Sequence, residues 1–278
     1  MLSSIPWGEL ATLCLALLAG GVLTGIIAGL FGVGGGGVMV PVLYEVFGVM
    51  GVEESVRMQL CVGTSLAIII PTAITSYRAH RKKGAVLPGV VKRWRVPAIV
   101  GILTGSAIAA WVPGWVLQAV FVVVVGMLGL KSLMGRNDIR IADTLPDSRA
   151  MGAYGFGIGL ASSLVGISGG GIATNILLLY GVPIHAAVGT SAGIGIFIPL
   201  PGVIGYAVAG WPHLSELPPL SLGYVSVLGF VLMAPLAAMF APMGARLAHR
   251  LSRRHLEIGF GVFLLLVAGR FLAAILWR

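Results

Sequence analysis

Two glycine-rich runs interrupt apolar tracts of this sequence, and bare backbone of that kind can bind an anion. Glycine lacks a Cβ, so neighbouring residues can adopt left-handed conformations and direct several N–H groups at one point. A helix that begins after such a run adds the positive end of its dipole. The predicted anion contacts come from both copies of the run: Gly32, Gly34, Gly35, Gly36 and Gly37 in the first, and Gly166, Ser168, Gly169, Gly170 and Gly171 in the second.

A second motif, Gly-Thr-Ser, also occurs twice, once after each glycine run. Its hydroxyl groups can donate to an oxyanion without placing a permanent charge in an apolar environment. The alternative is that they bond back to the preceding helical turn. Asn175 has no polar counterpart, because the first copy carries Pro41 there, so Asn175 either makes the site asymmetric or packs. The further predicted contacts are Gly63, Thr64, Ser65, Asn175, Gly189, Thr190 and Ser191.

Few ionisable residues stand inside or beside apolar tracts, and such residues are functional candidates. His185 and Glu45 are the candidates for coupling transport to an ion. The structural alternatives are a buried structural histidine and, for Arg270, a side chain that extends towards a membrane face. Cys14 and Cys61 lie in apolar tracts, and no group of residues has metal-ligand spacing. We therefore predict no metal and no cofactor.

Composition defines the class of protein that must position these residues. The 278 residues are 58% hydrophobic and 10% charged, with a mean hydropathy of +1.02. A water-soluble domain carries about 25% charged residues. The apolar tracts have the length that helices need to cross a bilayer, roughly 20 residues, and alternating barrel strands are not visible. We predict an all-α polytopic membrane protein. The net charge of +9 does not indicate a nucleic-acid partner, because the basic residues cluster in connections between apolar tracts.

The recurring motifs predict an internal duplication within one transmembrane domain, 1–278. The tracts that follow the glycine runs are short, so each run is read as the break in an interrupted helix or re-entrant hairpin. About eight transmembrane elements then form two homologous repeats of four elements. The repeats cover about 9–134 and 150–278, with a linker at about 135–149.

Most of the 18 lysines and arginines lie in the connections 78–95, 131–149 and 243–255. The positive-inside rule places all three in the cytoplasm. Eight plain crossings would put the first and the third on opposite faces. The conflict disappears if each glycine-interrupted pair is a hairpin that returns to its own side, or is two full crossings. Either choice gives each half an odd number of crossings, so the halves are inverted relative to each other. Pro41, Pro71, Pro199 and Pro201 are expected to kink or break helices.

The motif Gly-x-Gly-Gly-Gly-Gly followed by Pro41, the later Gly-Thr-Ser, and the repetition of both resemble the sulfite exporter TauE/SafE family. The resemblance covers about 20–275. It implies an eight-helix permease of the bacterial inner membrane that moves sulfite, sulfoacetate or a related sulfur oxyanion or organosulfonate. The second copy departs from the first at Ser168 and Asn175, which leaves the substrate open. The expected partners are this small anion, the lipid bilayer and, as an option, a second copy of the chain in a homodimer.

Two other functions fit parts of the sequence. A passive anion channel would use the same glycine runs. An intramembrane serine protease would use Ser168 as nucleophile and His185 as base, but the first copy has Gly34 in place of the serine, so catalysis would explain only one half. We expect a transporter and not an enzyme.

Overall fold

The computed structural model describes residues 7–31, 36–135, 140–248 and 252–277, which are mostly helical. Eleven α-helices are described within these ranges. They are α1 Trp7–Phe31, α2 Gly36–Val49, α3 Glu54–Lys82, α4 Pro88–Trp111, α5 Gly114–Met134, α6 Ser148–Val165, α7 Gly170–Leu179, α8 Ile184–Gly195, α9 Pro199–Ala209, α10 Val227–Ala248 and α11 Arg253–Leu276. A 3-10 helix covers Trp211–Glu216, and an isolated antiparallel bridge joins Ser221 and Ser226.

Six helical segments in the described part are long and apolar enough to cross a membrane. They are Glu54–Lys82, Pro88–Trp111, Gly114–Met134, Ile184–Ala209, Val227–Gly244 and Arg254–Leu276. Shorter apolar helices cover Cys14–Ala28, Gly37–Val49 and Gly170–Leu179. Backbone N–H and C=O groups cannot be satisfied by lipid, and a helix satisfies them internally. The predicted class, a helical polytopic membrane protein, is confirmed.

The second glycine run breaks a helix as predicted. α6 ends at Val165, and Gly166 (φ 76°) and Gly169 (φ 71°) both adopt the left-handed conformation before α7 begins. A Cβ on Gly169 would lie 2.5 Å from Ser162 Oγ, so the position also lacks space for a side chain. In the first copy α2 begins at Gly36. The predicted contacts Gly32, Gly34 and Gly35 lie outside the described residues.

The prolines have different effects. Pro199 starts α9 after α8 has ended at Gly195, so the predicted break occurs there. Pro201 follows in the first turn of α9, where the missing N–H has no helical partner to lose. Pro41 and Pro71 are accommodated within α2 and α3, which continue through them, so the predicted breaks at these two positions do not occur.

Glycines allow two pairs of helices to pack closely and in parallel. In the α4–α6 pair, a Cβ on Gly155 would lie 3.1 Å from Trp94 O, and one on Gly105 would lie 2.6 Å from Ser163 Cβ. In the α1–α10 pair, a Cβ on Gly25 would lie 2.6 Å from Ala237 O. Small residues at such crossings let backbones approach in membranes. The third close pair, α5–α11, is antiparallel, because Phe121 packs on Phe271 while Ser132 contacts Glu257.

Hydrogen bonds show which connections meet. At what we call the basic end, Ser132 Oγ donates to Glu257 O (2.7 Å) and Arg254 donates to Leu133 O (2.7 Å). At the far end, Gln59 Nε2 donates to Val112 O (3.1 Å), which joins the start of α3 to the turn between α4 and α5. The ends of α5 and the start of α11 therefore share one end of the bundle.

The short helix α7 turns back along α6. Tyr154 OH near the start of α6 and Tyr180 OH after α7 are 2.7 Å apart, and Ile141 N donates to Leu179 O (2.7 Å). The chain thus enters α6 and leaves α7 at the same end of the bundle, as expected for a hairpin. α2 likewise runs against the direction of α1. A Cβ on Gly20 would lie 2.9 Å from Val42 Cγ1, and the short connection from Phe31 to Gly36 allows this contact only if α2 runs back along α1.

The N-cap of α6 provides a test of this hairpin. Asp147 Oδ1 accepts from Ala150 N (2.8 Å), which satisfies one of the free N–H groups of the first turn. We expect Asp147→Ala to lower the free energy of unfolding in detergent by about 1 kcal/mol. The control is Asp143→Ala, because Asp143 makes only an exposed ion pair with Arg140 (3.6 Å). Equal stability of the two variants would contradict the capping role.

Candidate functional site

A polar cavity of about 360 Å³ lies between α3, α5, α7, α8 and α11. His80, Lys131, Gly135 and Glu257 line it, so it reaches the basic end of the bundle. Apolar side chains also form part of its wall, among them Leu128 and Phe260. Its remaining lining residues are Ile69, Thr72, Ala73, Ser76, Ser132, Ser168, Gly170, Gly171, Thr174, Asn175, Val188, Ser191, Ala192 and Gly195.

The N-terminus of α7 opens into this cavity. Gly170 and Gly171 form its first turn, and Gly169 supplies no side-chain cap. The N–H groups of a first helical turn have no partner within the helix. A Cβ on Gly171 would meet no atom within 4 Å, so the backbone there faces open space. This part of the glycine run can therefore direct N–H groups at a bound oxygen atom.

Lys131 brings a positive charge to the same cavity. Its ammonium group donates to Asn175 Oδ1 (2.7 Å), and Asn175 Nδ2 donates to Gly171 O (3.0 Å). Asn175 therefore ties the lysine to the first turns of α7. Because the amide is neutral, the full charge of Lys131 remains available to an anion.

Hydroxyl groups from α7 and α8 complete the polar wall. Thr174 Oγ1 donates to Ser191 Oγ (2.8 Å), which in turn donates to Ala187 O (2.7 Å). Ser168 lies in the break before α7, where a Cβ added to Gly170 would lie 3.5 Å from Ser168 Oγ. Thr174 and Ser191 each have one O–H group, which these bonds engage, so Ser168 is the hydroxyl of this set that adds a donor without further charge.

Two more ionisable residues line the entrance. His80 stands near the end of α3, and Glu257 stands in the first turns of α11, where Arg254 lies 3.7 Å from its carboxylate. The arginine offsets the negative charge of Glu257. The cavity thus carries Lys131 as its inner cation and a carboxylate whose charge is already paired.

The structure brings only part of the predicted site together. Ser168, Gly170, Gly171, Asn175 and Ser191 line the cavity. Gly166 and Gly169 lie in the break between α6 and α7 and form its left-handed turns. Gly36 and Gly37 are the first two residues of α2, and a Cβ on Gly37 would lie 3.7 Å from Leu264 of α11.

The Gly-Thr pairs lie away from the cavity and have equivalent contacts. Thr64 Oγ1 accepts from Ser226 N (2.9 Å), and Thr190 Oγ1 accepts from Leu87 N (2.9 Å). A Cβ on Gly63 would overlap Tyr224 O, and one on Gly189 would overlap Ala85 O, so both glycines allow a connection to pass closely. Ser65 Oγ donates to Gly166 O (2.8 Å), which joins α3 to the second run.

The two proposed coupling residues also lie outside the cavity lining. His185 is exposed in the first turn of α8. Glu45 pairs with Arg270, at 3.3 Å. The residues proposed for a protease dyad are not brought together in the described part, since Ser168 lines the cavity and His185 does not.

The sequence motifs do not identify Lys131, Thr174 or His80 as site residues. Lys131 falls in the basic connection 131–149, although it stands three residues before the end of α5. A single lysine inside an apolar tract is itself a signal of function. The i, i+1 pair Thr174-Asn175, one turn after the glycines, was a second available signal.

A bundle of membrane-spanning helices around a polar cavity with an internal cation is the architecture of a membrane transporter. The sequence profile of the family described as "Sulfite exporter TauE/SafE" matches residues 17–271. The chain therefore belongs to the TauE/SafE family of membrane transporters.

Two relatives agree with this assignment. A "Probable membrane transporter protein" of Haemophilus influenzae is 30% identical over 259 residues, covering 92% of this chain and 97% of the relative. A "Probable membrane transporter protein" of Methanocaldococcus jannaschii is 25% identical over 249 residues, covering 87% of this chain and 89% of the relative. No solved structure matches the chain.

Proposed function

We propose that the protein is a permease that binds a small anion in the cavity and moves it across the membrane. One observation carries the proposal: the ammonium group of Lys131 and the uncapped N-terminus of α7 face the same cavity. Both favour negative charge, and the backbone N–H groups contribute without adding a further ion to the membrane.

The substrate class is a sulfur oxyanion or an organosulfonate, such as sulfite or sulfoacetate. Its oxygens accept from Lys131 and from the N–H groups of Gly170 and Gly171, with the Ser168 hydroxyl as an additional donor. Thr174 and Ser191 line the site, and Thr174 becomes a donor to the anion when it releases Ser191. The family membership and the cavity volume of about 360 Å³ support this class, because the space is ample for such an anion. The first glycine run, including Gly36 and Gly37, completes the site when the cavity rearranges.

We further propose that the chain consists of two inverted repeats, with eight membrane elements. α1 packs along α10, and α6 packs along α4, which is the same pairing with the halves exchanged. The Thr64–Ser226 and Thr190–Leu87 hydrogen bonds repeat this exchange. Hairpins that begin at opposite ends of the bundle agree with inversion.

The basic end lies in the cytoplasm and the protein in the inner membrane. The lysines and arginines of 78–95 and 131–149, with those of 243–255, support this orientation through the positive-inside rule. In the conformation described here, the cavity then opens towards the cytoplasm. The transport cycle needs no enzymatic step, and Ser168 acts as a hydroxyl donor.

The test is uptake of 35S-labelled sulfite by proteoliposomes that contain the purified protein. We expect saturable uptake that unlabelled sulfite and sulfoacetate inhibit and that empty liposomes lack. Uptake that rises linearly with concentration indicates a passive channel. Absence of protein-dependent flux of any sulfur oxyanion or sulfonate would contradict the substrate assignment.

Ser168→Ala is expected to reduce affinity for sulfite by about tenfold, which corresponds to the lower end of the range for one hydrogen bond to a charged group.

A further inference from the structure

A second cation lies in the membrane part of the protein. Arg270 Nη2 and Glu45 Oε1 are 3.3 Å apart, and their side chains are 57% and 58% exposed. Both residues belong to apolar helices, Arg254–Leu276 and Gly37–Val49. Charged groups within a bilayer face protein or water, because contact with hydrocarbon is costly. The exposure of this pair therefore indicates that water reaches its charges beside α2 and α11.

Arg270 and Lys131 lie on opposite sides of the centre of the bundle. In the antiparallel α5–α11 pair, Ser132 contacts Glu257 at the basic end, and Phe121 packs on Phe271 (4.9 Å) towards the far end. Lys131 is next to Ser132, and Arg270 is next to Phe271. At 1.5 Å per residue, Arg270 is about 15 Å along α11 from the cavity residue Phe260.

The two cations have related partners. Lys131 is on α5 and bonds to Asn175 of α7, the helix that follows the second glycine run. Arg270 is on α11 and pairs with Glu45 of α2, the helix that follows the first run. In both cases, the last helix of one half contacts the interrupted segment of the other half.

The partners differ in charge. Asn175 is neutral and leaves Lys131 able to bind an anion, whereas the carboxylate of Glu45 takes the place that an anion would occupy on Arg270. We propose that Arg270 is the anion-binding residue of the far half of the transport path, and that Glu45 occupies it while the cavity is open to the basic end. This inference rests on the proposed transport function.

A second arginine lies about one helical turn along α2 from Glu45, because a Cβ on Gly48 would lie 3.2 Å from Arg57 Nη1. Arg57 lies over the Tyr44 ring (5.2 Å to its centre) and donates to Val52 O (2.6 Å). The carbonyl group of Val52 therefore holds the Arg57 side chain in place. Tyr44 packs on Phe271 (4.8 Å), which links this cluster to the residue after Arg270. With two arginines and one glutamate, the cluster attracts anions once Glu45 leaves.

The test compares Glu45→Gln with Arg270→Gln in proteoliposomes in which the far end of the protein faces outwards. External trypsin checks this orientation, because it then leaves the basic connection 78–95 uncleaved. We expect Glu45→Gln to lower the half-saturating concentration of external 35S-sulfite by about tenfold, the effect of removing one competing charged partner. Arg270→Gln should reduce flux at least tenfold, and the double variant should behave like Arg270→Gln. Sulfite binding at the basic end should stay unchanged in all three.

If the ion pair has only a structural role, Glu45→Gln should raise the half-saturating concentration of sulfite. If both single variants lose flux and thermal stability equally, the inference is overturned. It is also overturned if wild type is a dimer that either variant dissociates, because the pair then belongs to an interface. Absence of wild-type flux defeats the proposed function itself, whereas normal flux in Arg270→Gln defeats only the role of Arg270.

Discussion

Replacing Lys131 by glutamine is expected to reduce sulfite uptake by roughly 10- to 100-fold. A hydrogen bond to a charged group contributes about 1.5–3 kcal/mol, and Lys131 is the cation on the cavity wall that bonds to a neutral partner. Glutamine keeps a donor for Asn175 Oδ1 but removes the charge. The effect should therefore be on sulfite affinity and flux, with thermal stability in detergent close to that of wild type.

The matched control for this variant is Lys92→Gln. It removes the same charge from an exposed side chain of α4, in the basic connection 78–95. Uptake by the control should match wild type, because screening by salt leaves little long-range effect of one exposed charge. Equal uptake by Lys131→Gln and Lys92→Gln would remove Lys131 from the site.

Gly63→Ala is expected to lower the stability of the fold strongly. An added Cβ would overlap the carbonyl oxygen of Tyr224 and lie 3.0 Å from Tyr206 Cβ. Backbone cannot move aside as a flexible side chain can, so α3 or the connection before α10 must shift. Overpacking of this kind costs about 1–3 kcal/mol or more. We expect a clear loss of thermal stability and of folded yield, and Gly189→Ala should behave alike because its Cβ would meet Ala85.

Gly126→Ala is the matched control for both glycine variants. It lies in the middle of α5, and a Cβ there meets no atom within 4 Å. Alanine also has the higher helix propensity, so stability should be equal or slightly raised. If Gly63→Ala instead folds normally and loses only sulfite binding, the glycine contacts the substrate as the sequence motif predicts, and its packing role is wrong.

The class of protein and the positions of its helix breaks could be predicted from the sequence, because both depend on residues that are close together in the chain. Apolar length defines the spanning helices, and Gly166 and Gly169 allow left-handed turns that other residues avoid. Pro71 shows the limit of local reasoning. Its effect depends on whether neighbouring groups can satisfy the freed carbonyl oxygens, and α3 continues through it.

The site itself was only partly predictable. The glycines of α7 belong to a repeated motif, and Ser168 and Asn175 stand where the second copy of that motif departs from the first, but Lys131 reaches them from a different helix. That contact depends on how α5 packs against α7, which no local pattern encodes. Thr64 and Thr190 show the reverse case, since a motif that looks suited to substrate contacts here holds the connections before α10 and α4.

The parallel pairing of α1 with α10 has a consequence for the order of assembly in the membrane. α1 leaves the ribosome before the other ten helices of the described ranges, whereas its partner follows roughly 200 residues later, and translation of that length takes about 10–40 s. Until then, Gly21 and Gly25 face lipid. A glycine face tolerates this delay, because lipid imposes no hydrophobic penalty on an unpaired apolar helix. α6, in contrast, finds α4 already inserted, so the second half of the chain docks as it is made and the first helix closes the bundle last.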